Sequence, residues 1–139
     1  MTAQSIGLLF VICASFGILL VLKYAGGKRI DDAKKGSIKK ELSEVAKQLK
    51  STNESGFRDM IVRLDTLLSR SLKLYYNNDE GCGENLKKAN SLFGKDEYNK
   101  LWEVHKLRNK IVHENSSVNT SEARKAFQIF SSSINKIVK

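Results

Sequence analysis

"GFRDMIVRLDTLLSRSLKLYY", residues 56–76, decides the fold class of this chain. Phe57, Met60, Ile61, Leu64, Leu67, Leu68, Leu72 and Tyr75 recur at spacings of three and four. That is the period of one face of an α-helix, whereas a half-buried strand alternates apolar and polar residues. A stripe this long must be buried against something, and the rest of the chain supplies only further helical patterns.

Downstream, "NNDEGCG" (77–83) has the composition of a loop. A short helix follows over about 84–93, carrying Leu86, Ala89, Leu92 and Phe93. Gly94 and Lys95 interrupt it, and Asp96 is the expected cap of a helix from about 97 to 114. Leu101, Val104, Leu107, Ile111 and Val112 should hold that helix against the core. The last helix is predicted over about 120–138, with Ala123, Phe127, Phe130, Ile134 and Ile137 buried. Asn119 and Glu122 give it a start of capping-box type, because each side chain can bond the other's backbone amide.

Upstream, "STNESG" (51–56) breaks the pattern. "IKKELSEVAKQLK" (38–50) is an amphipathic helix, with Ile38, Leu42, Val45, Ala46 and Leu49 on one face and mostly Lys and Glu on the other. Its stripe packs on the domain or, in the alternative, rests on anionic lipid. "AGGKRIDDAKKGS" (25–37), polar and with three glycines, reads as a linker. There is no proline, no internal repeat and no alternating pattern. The expected fold is all-α: an antiparallel four-helix bundle over 56–139, behind a basic linker and amphipathic helix over 26–55. About 84 residues make a small core, which pairing of two copies would enlarge.

The first 25 residues form a third region. No Lys, Arg, Asp or Glu precedes Lys23, and "IGLLFVICASFGILLVL" (6–22) is 17 residues without a charge. As a helix it is about 25 Å long, close to the ~30 Å apolar thickness of a bilayer once its flanks are added. A signal peptide would want a basic start and a small-residue cleavage site, and a lipoprotein signal small residues before Cys13, where Val11 and Ile12 stand. The expectation is a single-pass membrane anchor through residues 3–24. Lys23, Lys28, Arg29, Lys34 and Lys35 follow it, which places the C-terminal domain in the cytoplasm and the N-terminus outside. There Cys13 and Cys82 are not expected to pair, and the sequons at Asn53, Asn115 and Asn119 would stay unmodified.

Several chemistries are excluded by motif. "GCG" (81–83) lacks the Lys and Ser of a phosphate loop, and no Cys/His set has zinc spacing along the chain. His105 and His113 are eight residues apart, roughly 12 Å of helix rise, too far to share one ion. No metal or other cofactor is expected. What remains is "LRNKIVHEN" (107–115). His105, Asn109 and His113 share a helix stripe, so Asn109 can orient the His113 ring, while Arg108 lies about 140° round from His113. A His can move a proton and an Arg can hold the charge that builds on a phosphoryl group, a combination suited to metal-free RNA cleavage through the ribose 2′-OH. One His is short of the acid and base that such cleavage wants, and a symmetric dimer would bring a second. Arg108 and His113 near a helix C-terminus also complement the helix dipole, which is the structural alternative. His105 is expected to pack at an interface or cap a polar spot, with a secondary role in the cleft as the alternative, Trp102 and Tyr98 to serve core or interface, and Asp65 to reach an Arg across the bundle. The net charge from 51 to 139 is only +4, so charge argues weakly for RNA.

"LWEVHKLRNKIVHE" (101–114) resembles the third-helix signature of the HEPN superfamily: an Arg, a polar residue directly after it, and a His four to six intervening residues beyond the Arg. Arg108, Asn109 and His113 fit, with four residues between Arg and His. "RLDTLLSRSLKL" (63–74), "NLKKANSLFGKDEYNKLWEVHKLRN" (85–109) and the capped last helix also look like small bacterial HEPN domains, so the likeness covers roughly 56–139. The resemblance implies an all-α dimer whose two motifs face one cleft. It implies a metal-independent endoribonuclease of toxin or defence type that leaves a cyclic phosphate, or else a non-catalytic adaptor that dimerises or binds nucleotide or RNA. By carry-over His113 is the acid/base, Arg108 the phosphate clamp and Asn109 the polar partner. RNA, a second copy of the chain, the membrane and a protein antitoxin or regulator are the implied partners. Members held by nucleotidyltransferase antitoxins carry a Tyr two residues after the His, where this chain has Asn115.

Overall fold

The computed structural model describes Ser15, Gly17, Ile18 and residues 30–139. The anchor expected through residues 3–24 therefore lies essentially outside the described residues. Among those that are described, no helix is long and apolar enough to cross a membrane.

The described chain is all-helical. Five α-helices follow in order: α1 (Asp32–Gln48), α2 (Glu54–Tyr76), α3 (Cys82–Lys88), α4 (Lys95–Glu114) and α5 (Thr120–Ile137), with a 3-10 turn at Ala89–Leu92 after α3. α2 is the hub and packs on each of the other four, while α5 also packs on α4 and α1. The stripe quoted above explains this: Met60, Ile61, Leu64, Leu68 and Leu72 are all fully buried.

The helix ends follow local chemistry. Asn53 caps α2 by accepting from Gly56 N at 3.2 Å. Asn77 and Asn115 end α2 and α4 in the left-handed conformation, at φ 50° and 54°, which Asn tolerates better than most residues. The capping box of α5 forms as expected, with Glu122 N donating to Asn119 at 2.9 Å and Asn119 N to Glu122 at 3.0 Å. The expected cap at Asp96 does not form. α4 begins at Lys95 with Gly94 in the cap position, and Asp96 sits in the first turn, paired with Lys100 at 2.6 Å. An acid in the first turn still complements the helix dipole.

The larger difference lies upstream. Residues 25–37 read as a linker, yet α1 starts at Asp32, six residues before the expected helix. Asp31 accepts from Ala33 N at 3.1 Å and supplies the start signal. Gly36 faces open space, so it weakens the helix without breaking it. Ile38 and Val45 are fully buried, Leu42 nearly so, and the Arg70–Glu41 pair (2.6 Å) and an Arg63–Gln48 hydrogen bond (3.1 Å) tie α1 to α2. The α1 stripe thus belongs to the same core as the four helices after it. Val112, expected in the core, is 49% exposed, because the buried face of α4 runs through Leu101, Val104, His105 and Ile111 instead.

Candidate functional site

The buried faces of α2 and α4 carry the same anomaly. Asp65 falls between Ile61 and Leu68 in the most buried row of α2 and is 4% exposed. A carboxylate there must be paired or pay a large desolvation cost. α4 supplies the partners one turn apart. His105 Nδ1 lies 2.7 Å from Asp65 Oδ1, and Arg108 Nε lies 3.4 Å from Oδ2. The His105 contact fixes the ring: the neutral form donates from Nδ1 and leaves Nε2 as acceptor. The Trp102 ring meets His105 edge-on at 5.6 Å, and Tyr98 in turn meets Trp102 at 6.3 Å. These aromatics brace the imidazole, and Tyr98 also donates to Leu86 O at 3.2 Å across to α3.

Cys82, at the start of α3, closes the third side, with Sγ 3.9 Å from Asp65 Oδ1. Burial and the neighbouring Asp65 charge push its thiol well above the usual range, so it stays protonated. Gly83 is required to be small only in a mild sense: a Cβ there would meet His105 Nε2 at 3.6 Å, an ordinary contact. Asp65, Cys82, Gly83, His105 and Arg108 wall a cleft of about 370 Å³ whose rim includes Arg70 and Lys73. Arg70 and Lys73 also line an adjoining groove of about 770 Å³ that runs over α1 past Lys34. Lys34 and Lys73 have no ion-pair partner among the described residues. The two hollows therefore make one trough with an excess of positive charge on its walls.

Of the three residues picked out by the sequence, Arg108 stands in this cleft. Its Nη1 donates to Asn109 Oδ1 at 3.1 Å, so Asn109 steadies the guanidinium rather than the His113 ring. The Nε is an ion-pair contact only, without hydrogen-bond geometry. His113 is exposed in the last turn of the unbroken helix α4 and has no hydrogen-bond or ion-pair partner among the described residues. The end of α4 is served by Arg58 of α2 instead, which donates to Ile111 O at 3.4 Å and to Asn115 Oδ1. Within one chain, then, Arg108 and Asn109 come together and His113 does not join them. His105, expected first to pack or cap and in the alternative to serve the cleft, is the histidine that lines it. The expected partner of Asp65 across the bundle is Arg108. The signal for this trio was present: a charged residue in the buried row of α2, and a His three residues before an Arg on one face of α4.

No family model matches the chain, and neither a curated protein nor a solved structure matches it.

Proposed function

We propose that this protein is a metal-independent endoribonuclease of HEPN type, acting as a homodimer and held at the membrane through residues 3–24 with the helical domain in the cytoplasm. The observation that carries the reading is the placement of Arg108 in a cleft beside a carboxylate-held imidazole, with Arg70 and Lys73 on the rim. The trough gives a phosphodiester backbone a track, and Arg108 offers the planar fork that suits phosphate oxygens.

Cleavage then proceeds as an internal transfer. A neutral imidazole takes the proton of the ribose 2′-OH, and the oxygen attacks the adjacent phosphorus. Arg108 holds the charge that builds on the non-bridging oxygens. The bond to the 5′-oxygen breaks, and that oxygen takes a proton from an imidazolium. The products are a 2′,3′-cyclic phosphate and a 5′-hydroxyl, and no water or metal is consumed. Two imidazoles share the proton work. His105 is fixed in the cleft by Asp65, and His113, exposed and unengaged, is free to serve the cleft of the facing copy in a symmetric dimer.

The test is a gel assay of the purified full chain on single-stranded RNA in EDTA, with product ends identified. Wild type cuts and leaves cyclic phosphate. His113→Ala abolishes cutting, and Arg108→Lys cripples it. Sedimentation gives twice the monomer mass. Equal cutting by wild type and His113→Ala overturns the assignment, and a strict monomer removes the second imidazole on which the mechanism depends.

A second reading is favoured by the burial of the pair. Asp65 and His105 side chains are 5% and 10% exposed, as in a purely structural tie between α2 and α4. On that reading the domain is a membrane-tethered adaptor that dimerises or binds nucleotide or RNA without cutting it. RNA binding that is weakened by Lys73→Ala, with no cleavage under any condition, selects it.

A further inference from the structure

The cleft wall holds a ligand set that spacing along the chain hides. Asp65 comes from the middle of α2, Cys82 from the first turn of α3 and His105 from the middle of α4. One carboxylate oxygen, the sulfur and one ring nitrogen all lie within 4.8 Å of one another. We propose that Asp65, Cys82 and His105 bind one thiophilic divalent cation, with Zn²⁺ the best fit, and leave its fourth position open to the cleft.

The donor set selects the ion. Thiolate with imidazole suits zinc and disfavours magnesium or calcium, which want oxygen ligands. Three protein ligands plus an open position is the arrangement of zinc sites that hold water or another exchangeable ligand. The distances are close to what a tetrahedral ion needs. Bond lengths of ~2.0 Å to nitrogen and oxygen and ~2.3 Å to sulfur set ligand separations of roughly 3.3 Å for N–O and roughly 3.6 Å from sulfur to either. The Sγ–Oδ1 distance of 3.9 Å must shrink by only a few tenths of an ångström. The Nδ1–Oδ1 distance of 2.7 Å must open by roughly 0.6 Å, about twice that change, which side-chain rotations can supply.

The surroundings also fit. Asp65 Oδ2 faces Arg108 Nε at 3.4 Å, which leaves Oδ1 as the metal ligand and orients the carboxylate from behind. Trp102 braces the imidazole. Carboxylate and thiolate together match the charge of the ion, and Arg108 then faces a neutral cluster instead of a lone anion. Binding expels the thiol proton, and the Nδ1 proton leaves or moves to Nε2. A bound ion withdraws His105 and Asp65 from proton transfer, so the ion-bound cleft and the proposed nuclease cleft are mutually exclusive states. The binding claim itself needs no RNA, and metal binding alone decides it.

The experiment titrates Co²⁺ into the full chain carrying Cys13→Ser, so that Cys82 is the one thiol. One equivalent should give a thiolate-to-cobalt charge-transfer band in the near ultraviolet and the intense visible bands of four-coordinate cobalt. Stoichiometric Zn²⁺ should bleach both. Cys82→Ser should abolish the charge-transfer band, and His105→Gln and Asp65→Asn should each weaken binding tenfold or more, with circular dichroism confirming the fold. A pale, six-coordinate spectrum from the parent protein overturns the proposal whether or not the variants fold. A charge-transfer band that survives Cys82→Ser overturns it, as does unchanged affinity in folded His105→Gln and Asp65→Asn.

Discussion

Truncating Asp65 should be among the most damaging single changes in the described domain. Asp65→Ala removes the acceptor of His105 Nδ1 and the counter-charge of Arg108 in one step. Breaking a buried ion pair by deleting one partner costs about 3–5 kcal/mol, because the other partner is stranded. The Arg108 side chain is 30% exposed and can turn toward water, which lowers the expectation to roughly 2–4 kcal/mol. Asp65→Asn keeps the shape and an acceptor oxygen for His105 and loses only the charge. Its cost should be nearer 1–2 kcal/mol, the scale of one weakened hydrogen bond to a charged group. For a domain of this size each kcal/mol moves the thermal midpoint by about 4 °C. Asp65→Ala should therefore melt on the order of 10 °C below wild type, and Asp65→Asn about 5 °C below. Urea and thermal unfolding of the full chain, followed by far-ultraviolet circular dichroism, measures both. The double variant Asp65→Leu/His105→Leu should recover part of the loss, since two apolar groups leave less polarity stranded than either single change. Asp65→Ala within ~0.5 kcal/mol of wild type would refute the reasoning, because surface substitutions cost no more.

Further outcomes follow from three separate features. Cys82 should alkylate slowly at pH 9 in the folded protein and rapidly in urea, as burial and then Asp65 hold its thiol protonated; a folded rate equal to the unfolded one refutes that. The same upward shift makes the folded state bind the extra proton, so this group's contribution to stability falls as pH rises above the ordinary thiol range of about 8.5, visible as a wild-type decline that Cys82→Ser lacks. Asn119→Ala should cost about 1 kcal/mol by removing one half of the α5 capping box, and a melt unchanged from wild type would show the box to be idle. Protease added to intact spheroplasts should leave residues 30–139 uncut, and degradation there would overturn the proposed orientation.

How legible the fold was depended on the energy that each signal carried. The stripes of α2 and α5 were plain, since a misplaced Leu or Phe in a core costs several kcal/mol and the pattern has little freedom. The Asn119–Glu122 box was equally plain because it is local. The start of α1 was not. Asp31, Asp32 and a lone Gly36 in a polar stretch look like linker until one sees Ile38 and Val45 buried further along. Composition marked the segment as polar, and only packing against α2 decides that a polar segment is helical.

The candidate site shows the same boundary between local and non-local information. Arg108 and Asn109 are neighbours in the chain, yet helical spacing pointed Asn109 at His113, and it bonds Arg108 instead. Asp65, Cys82 and His105 are separated by loops whose course fixes which turn of α4 faces which turn of α2. His105 and His113 lie only about 80° apart on α4, so a shared stripe did not say which of them turns inward. The buried face runs through Leu101, Val104 and Ile111; it takes His105 with it and leaves His113, about 200° round from Ile111, exposed. A buried carboxylate at Asp65 then gives His105 and Arg108 a partner on that face. The charge in the middle of the α2 stripe was thus the most informative residue in the chain, and reading it requires asking what a carboxylate can find between Ile61, Leu64 and Leu68.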